Sequence, residues 1–571
     1  MARMISRVLL FLLLATAAAD QAPKKVAIVG GGIGGAATAH FLSEMLPSAR
    51  IEVFEAGQRA GGRAHTLDAN LFGVPLDAGA TSIFSKNKYL VSLIERFGLR
   101  KADDHDGKQV IGLWDGSGFR FRWTESSLLL PVHIVARYGP SPLRLIEAVD
   151  SAVQRLLGVY DLQARNVSFG SPEELFDALQ LTELTQRSAE SYFVHTLGVS
   201  KQFVDEFVTG ASRDNYNQDS RINAFVDLVS LAGAGIGGSV FYLANGTTPL
   251  VEALLSSSPA IVTHTSSRVA AISVVTRTHD DEEAGEEGEG RGRKSVKRGG
   301  GLGARSGAAG ARGADRTYHQ FEISLARLGA SARAFDAVVL ATPLEASHGL
   351  KLHGAPKQLN ATRPYQRTCV TFVSGIVNPS YFGVLPLSTV QQDEDQARLD
   401  EDPVPTDILT VENSAIPFST LALHARLANG TRVYKLFSRE PLSEALLTSM
   451  FRQRHKTVRL DWAAAYPNLE PTPPAATWPK FEVPLEPLQE PVDAADARAA
   501  AVTADEEDAA RGERGGAHGA HEPRAVRRPT ERRAPPPLIY VNAMESGVSC
   551  METQLIAAKN AALRVARLLE S

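Results

Sequence analysis

The sequence predicts an α/β fold in which a parallel sheet is interleaved with a mixed α+β domain. Three observations carry this. Val26 to Val29 is a short apolar run, the pattern of a parallel strand buried on both faces. A glycine-rich turn and a run of small residues follow, and Ile51 to Phe54 gives a second such strand, ending at Glu55. From Leu90 to Leu255 the periodicity is mostly helical, and beyond it Thr368–Ile376, Ile408–Val411 and Val433–Phe437 read as strands of another sheet.

Gly30, Gly32 and Gly35 fall on the G-x-G-x-x-G spacing. The first allows a tight turn, the second lets a pyrophosphate approach the backbone, and the third lets the next helix pack close to the strand. That helix would present its N-terminal N–H groups to the phosphates. Glu55, about 20 residues past the glycines, is placed to accept hydrogen bonds from a ribose hydroxyl. Strand, glycines, helix, strand and acid, in that order, point to an adenine dinucleotide. Gly61-Gly62-Arg63 and Asp77-Ala78-Gly79 come next, and they resemble the FAD-binding amine-oxidase and phytoene-desaturase superfamily. The resemblance implies a Rossmann-like FAD-binding domain of the amine-oxidase/glutathione-reductase type. FAD is then the cofactor, with Glu55 on the adenosine ribose, Arg63 near the pyrophosphate, and Gly62 and Gly79 on segments running toward the flavin.

Met1 to Ala19 reads as a secretory signal. Arg3 and Arg7 precede an apolar run from Val8 to Leu14, and Ala17-Ala18-Ala19 is a small-residue cleavage site. The run is shorter than the roughly 20 residues that span a bilayer, so no transmembrane anchor is expected after cleavage. The 571 residues, 44% of them apolar, hold ample core for two domains, and a net charge of -4 argues against nucleic acid as a partner. Two cysteines, Cys369 and Cys550, make neither a disulfide scaffold nor a C-x-x-C pair; a single bridge and two free thiols both stay open. The 14 histidines show no metal-ligand spacing, so no metal is expected. Behind a signal, the sequons at Asn166, Asn360 and Asn429 become candidate glycosylation sites. A fourth, at Asn245, lies in a segment expected to approach the cofactor.

Val110 to Phe121 alternates and reads as a hairpin turning at Asp115-Gly116, and Ser171-Pro172-Glu173-Glu174 is a helix start with a serine cap. Arg137-Tyr138-Gly139, the block from Arg213 through Asn215-Tyr216-Asn217-Gln218 to Ile222-Asn223-Ala224-Phe225, and Ala465-Tyr466-Pro467 resemble the prenylcysteine oxidases, also called prenylcysteine or farnesylcysteine lyases. The resemblance covers nearly the whole chain outside two insertions, 279–316 and 491–537, whose compositions are too polar to order themselves. It implies an FAD-dependent thioether oxidase whose partners are a small-molecule prenylcysteine and O2, in the lysosome or vacuole or secreted. Phe335 to Leu340 reads as the strand that returns the chain to the FAD sheet. Leu538–Val541 is the last strand, and Met551-Glu552 opens a helix whose N-terminus would face the flavin. Tyr216 and Glu552 are the candidate catalytic residues. Asn245 and Ala543 stand where relatives carry glycine.

The domain reading follows: signal 1–19; FAD-binding parts 24–90, 241–345 and 538–571; a helical substrate domain 91–240; and a substrate sheet 346–490. Two other functions stay open. One is a flavin oxidase acting on amines, for which no clear aromatic cage pair is visible. The other is a secreted FAD-binding protein without catalysis.

Overall fold

The structure, a computed structural model, describes residues 23–102, 109–124, 130–278, 317–326, 331–347, 349–356, 363–384, 404–473, 479–488 and 534–570. The expected signal, the insertion 279–316, nearly all of 491–537, and Asn360 lie outside them. In chain order the first elements are β1 (Lys25–Val29), α1 (Ile33–Met45), β2 (Arg50–Phe54), the hairpin β3 (Val110–Trp114) and β4 (Phe119–Thr124), then α2 (Ser141–Ala164), α3 (Thr209–Tyr216) and α4 (Ala224–Gly233). Next come β5 (Ile261–His264), β6 (Val269–Thr278), β7 (Thr317–Leu325), β8 (Ala337–Leu340), β9 (Tyr365–Val377) and β10 (Asp407–Thr410). The last are β11 (Thr420–Arg426), β12 (Arg432–Ser438), β13 (Phe451–Pro467), β14 (Glu482–Val483), β15 (Leu538–Tyr540) and α5 (Met551–Glu570).

The first sheet has the order β14-β15-β8-β1-β2-β5. Its strands are parallel except β14, which runs against β15. β1 and β2 are buried past their first residues and β8 throughout, as their unbroken apolar runs require. α1 packs on α5, and small residues, Gly34, Ala36, Ala37 and Ala39 among them, make up much of its buried surface. The turn between β1 and α1 accepts only glycine at Gly30, where φ is +107° and a Cβ would lie 2.7 Å from the Ala341 carbonyl oxygen. A Cβ on Gly35 would come within 2.0 Å of the Gly30 carbonyl oxygen, so this residue sets how closely α1 approaches the strand.

The expected strand from Phe335 to Leu340 is broken at Asp336. Arg333–Phe335 pairs with β7 in a four-stranded sheet, whereas β8 pairs with β1. The Asp336 carboxylate and N–H meet the Lys25 N–H and carbonyl at 2.7 and 2.9 Å, which pins the crossing point. β6 and β7 form a long hairpin in the same small sheet, and Thr278 pairs directly with Thr317.

The third sheet has seven strands in the order β13-β9-β12-β11-β10-β3-β4, antiparallel except between β10 and β3. The β3–β4 hairpin turns at Asp115, whose carboxylate accepts the Ser117 and Gly118 N–H groups at 2.9 Å. It joins this sheet rather than the helical region before which it falls in sequence. One side of the sheet buries Trp114, Phe382, Phe418, Leu421, Tyr434 and Leu436. The other side looks toward the first sheet across a cavity.

Candidate functional site

The cavity is about 1570 Å³, larger than the roughly 300–1,000 Å³ of an ordinary small-molecule pocket. It runs from the β1–α1 turn to the wall formed by the seven-stranded sheet. At its first end, α1 begins at Gly32 with no side chain capping it and no acid in its first turn. The N–H groups there keep the partial positive charge of a helix start. A Cβ on Gly32 would meet nothing nearer than the Gly61 carbonyl oxygen at 3.9 Å, so the space in front of it is open. Glu55 ends β2 on the cavity wall, its two carboxylate oxygens accepting the Gly31 N–H at 2.9 Å and the Gly57 N–H at 2.7 Å. Gly62 and Gly79 line the same wall.

Two of the expected site residues have partners within the protein. Arg63 does not reach toward a phosphate with a free charge. It donates to the fully buried Glu545 and, at 2.8 Å, to the Ala465 carbonyl. A buried carboxylate needs such a partner, so Arg63 clamps the cradle to the C-terminal segment. Glu552 is not free for acid–base work. Its carboxylate accepts the Tyr89 and Leu90 N–H groups, both at 2.9 Å, and the Tyr160 hydroxyl at 2.5 Å. It caps the helix Lys88–Arg96 from across the fold; burial raises its pKa, and these donors pull it back. Met551 and Glu552 do line the cavity, at the start of α5. The two cysteines, which the sequence left open, are both free thiols.

Tyr216 stands in the cavity wall and packs edge-to-face on Tyr466, ring centres 5.2 Å apart at 82°. Burial, first of all, lifts its phenol well above the ordinary value, so it stays neutral. The polar block around it divides. Asn217 donates to the Arg367 carbonyl at 3.1 Å, Gln218 to the Pro467 carbonyl at 3.1 Å, and Asn223 caps α4 by accepting the Val226 N–H at 2.9 Å. Asn217 and Gln218 thereby tie the end of α3 to the sheet, and Asn223 also donates to the Leu469 and Gly547 carbonyls, both at 3.2 Å. Asp214, Asn215, Tyr216 and also Asn217 line the cavity. Of the sequons, Asn166 and Asn429 are exposed; so is Asn245, between cavity-lining Ala244 and Gly246. Ala543 is fully buried.

Sequence reasoning missed Lys435. It lies in the middle of β12, 4% exposed, on the cavity wall. Desolvation lowers its ammonium to about 8, with Asp77 and Asp214 acting to raise it. The signal was a lysine inside a strand whose alternate residues, Tyr434 and Leu436, are core.

The residues present fit FAD. Beyond the open space at Gly32, two buried polar atoms in the cavity wall, Asn542 Oδ1 and Gln554 Nε2, have no partner within the protein. They lie close to the start of α1, where a Cβ on Gly34 would be 3.1 Å from Gln554 Oε1 and 3.3 Å from Val541 Cγ1, so unpaired polar atoms and free helix N–H groups face one end of the cavity together. Among the described residues no group of three His, Cys, Asp or Glu could hold a metal, and no helix is long and apolar enough to cross a membrane.

Residues 121–299 and 303–481 match the family model described as prenylcysteine lyase. The chain belongs to the prenylcysteine lyase family. Residues 28–97 of this family member match a further model, the NAD(P)-binding Rossmann-like domain. A farnesylcysteine lyase of Arabidopsis thaliana is 28% identical over 467 residues, covering 79% of this chain and 80% of that protein. A prenylcysteine oxidase 1-like protein of Homo sapiens is 27% identical over 467 residues, covering 79% and 83%. Among solved structures, putrescine oxidase bound to putrescine aligns with TM-score 0.52 at 12% identity over 96% of this chain and 99% of that one. Cyclohexylamine oxidase from Brevibacterium oxydans aligns with TM-score 0.51 at 13% identity over 96% and 100%. At such identities the likeness is one of fold.

Proposed function

We propose that this chain is an FAD-dependent oxidase that cleaves the thioether of farnesyl- or geranylgeranylcysteine. With O2 and water the products are cysteine, the prenyl aldehyde and H2O2, a step in the degradation of prenylated proteins. One observation carries the reading: a member of the prenylcysteine lyase family holds one cavity that joins a dinucleotide cradle to an apolar wall. When bound, FAD supplies a two-electron acceptor for the carbon beside sulfur and passes the electrons to oxygen. In the balance, the carbon–sulfur bond breaks, the oxygen of water becomes the aldehyde oxygen, sulfur leaves as the thiol, and O2 becomes H2O2.

The chain's own residues bind and orient. Gly32 and the first N–H groups of α1 would hold the pyrophosphate, Glu55 the ribose, and Met551 at the start of α5 the flavin end. Val153, Leu156 and Leu157 of α2 and Val229 of α4 line the apolar part of the cavity. They would take the prenyl tail, at about 0.8 kcal/mol for each buried CH₂. Tyr216, held neutral by burial, can donate a hydrogen bond but cannot serve as a base near neutrality. An amine substrate is less well served. Tyr216 and Tyr466 stand edge-to-face instead of offering two parallel faces to an amine. The signal read in the sequence suits passage through the secretory route to a lysosome or vacuole, with glycans on Asn166 and Asn429.

Purified protein should be yellow and release its flavin on acid precipitation. With farnesylcysteine it should yield H2O2 and farnesal in equal amounts. Peroxide from putrescine but not from farnesylcysteine would reverse the reading.

A further inference from the structure

The seven-stranded sheet turns one face to the cavity, and its register fixes what that face carries. Lys435 stands opposite Phe372 on β9 and Ala422 on β11; Phe437 stands opposite Val370 and Thr420. Side chains alternate along a strand, so Lys435 and Phe437 share a side. Apart from Lys435, the patch is apolar or hydroxylic. The Lys435 ammonium lies 4.7 Å from the Phe437 ring centre and 6.0 Å from that of Phe372. Its polar neighbours are Thr81 Oγ1 at 3.4 Å and the Gly79 carbonyl at 3.5 Å, both beyond ordinary hydrogen-bond length. Three N–H donors therefore meet two long, neutral contacts.

The two carboxylates that act on Lys435 differ. Asp77 is held by three donors on one oxygen: its Oδ1 accepts from Thr66 Oγ1 at 2.7 Å, the Thr247 N–H at 2.9 Å and Thr247 Oγ1 at 3.1 Å. Asp214, in the last turn of α3 on the cavity wall, lies near Thr420 and Lys435; the Thr420 hydroxyl itself donates to the Ile408 carbonyl at 3.1 Å. The cavity wall thus carries a desolvated cation with two carboxylates near it, Asp77 held by three donors and Asp214 without such a set, next to apolar surface. Buried charges without close partners are costly in a folded chain, and a ligand of complementary charges removes that cost.

We propose that Lys435 and Asp214 form a head-group pocket for a zwitterionic S-alkylcysteine, Lys435 taking the α-carboxylate and Asp214 the α-ammonium. The assignment rests on the prenylcysteine reading of the cavity and adds the residues that select the amino-acid end. It makes both residues specificity determinants, positioned to fix the sulfur while the tail lies along α2 and α4.

S-dodecylcysteine tests this, because its saturated tail lacks the allylic carbon and is not consumed. Its binding to flavin-loaded protein is measured by calorimetry beside that of its methyl ester and its N-acetyl derivative. In wild type each modification should weaken binding about tenfold, the scale of one charge-assisted contact. In Lys435→Met the acid and the ester should bind alike, and in Asp214→Asn the amine and the N-acetyl compound should bind alike. The flavin spectrum and melting temperature confirm that each variant is folded. Equal binding of acid and ester by wild type overturns the proposal without any variant, and so does an undiminished ester penalty in Lys435→Met. If wild type is reduced by farnesylcysteine yet these cycles are additive, only the head-group assignment falls. If farnesylcysteine does not reduce the flavin, the function itself falls.

Discussion

At the scale of single residues, the fold rests on charges placed where water does not reach. Glu545 is fully buried and holds Arg63, Tyr365 and Asn542 around it. Arg63→Met leaves that carboxylate without its cation, at a cost of about 3–5 kcal/mol. A lowered midpoint in urea, with loss of flavin on dialysis, is the expected result. Asp227 makes a different demand. It is fully buried with one oxygen unpartnered, and burial raises its carboxyl to about 8 against the pull of the Ser212 hydroxyl. The native state therefore keeps a proton that the unfolded chain has lost above its own, ordinary pKa. The stability this gives is complete at low pH and declines as pH rises toward 8, by at most about 1.4 kcal/mol per pH unit. Wild type should unfold in less urea at pH 8 than at pH 5, and Asp227→Asn should flatten that difference. Parallel pH profiles for the two proteins would contradict this account.

Residue identities were legible in the sequence where their partners are near. Gly30, Gly32, Gly35 and Glu55 sit within one strand–helix–strand unit, and its local pattern marks them. The missed or revised residues have distant partners. Arg63 meets Glu545 across 482 positions, Glu552 meets Tyr89 across 463, and Lys435 meets Gly79 across 356. No periodicity carries contacts of that span, so a glutamate that caps a remote helix is read as a candidate acid.

At the scale of elements, the cradle depends on backbone shape. Replacing Gly32 by Leu puts a side chain into the open space before α1 while leaving β1 and α1 themselves unobstructed. Folded, colourless protein is the expected product, and retention of FAD would show that the phosphates lie elsewhere. Strands were readable because each face of the sheets alternates or runs apolar. The junctions were not. The break at Asp336 comes from a backbone exchange with Lys25, and the β3–β4 hairpin joins its sheet through β10, nearly 300 residues later. The hairpin β6–β7 yields a further prediction. Its strands pair up to Thr278 and Thr317, so deleting 279–316 shortens only the connection between neighbours. Loop closure depends weakly on length, and the melting temperature and flavin content should hold. A large fall in melting temperature would show that the segment contributes to the fold.

At the scale of the molecule, strands from five separated stretches of chain build the first sheet, and the cavity lies between it and the seven-stranded sheet. One compartment is thereby made from residues spread between Gly30 and Gln554. A dinucleotide cradle opening on an apolar wall with one buried lysine suits a ligand with a long tail and a charged head. The direct test mixes the flavin-loaded protein with farnesylcysteine in the absence of oxygen and follows the absorption of oxidised flavin. The account predicts bleaching with farnesylcysteine, none with putrescine, and recovery of the spectrum on admitting air. A flavin that stays oxidised with farnesylcysteine while putrescine bleaches it would contradict the central claim.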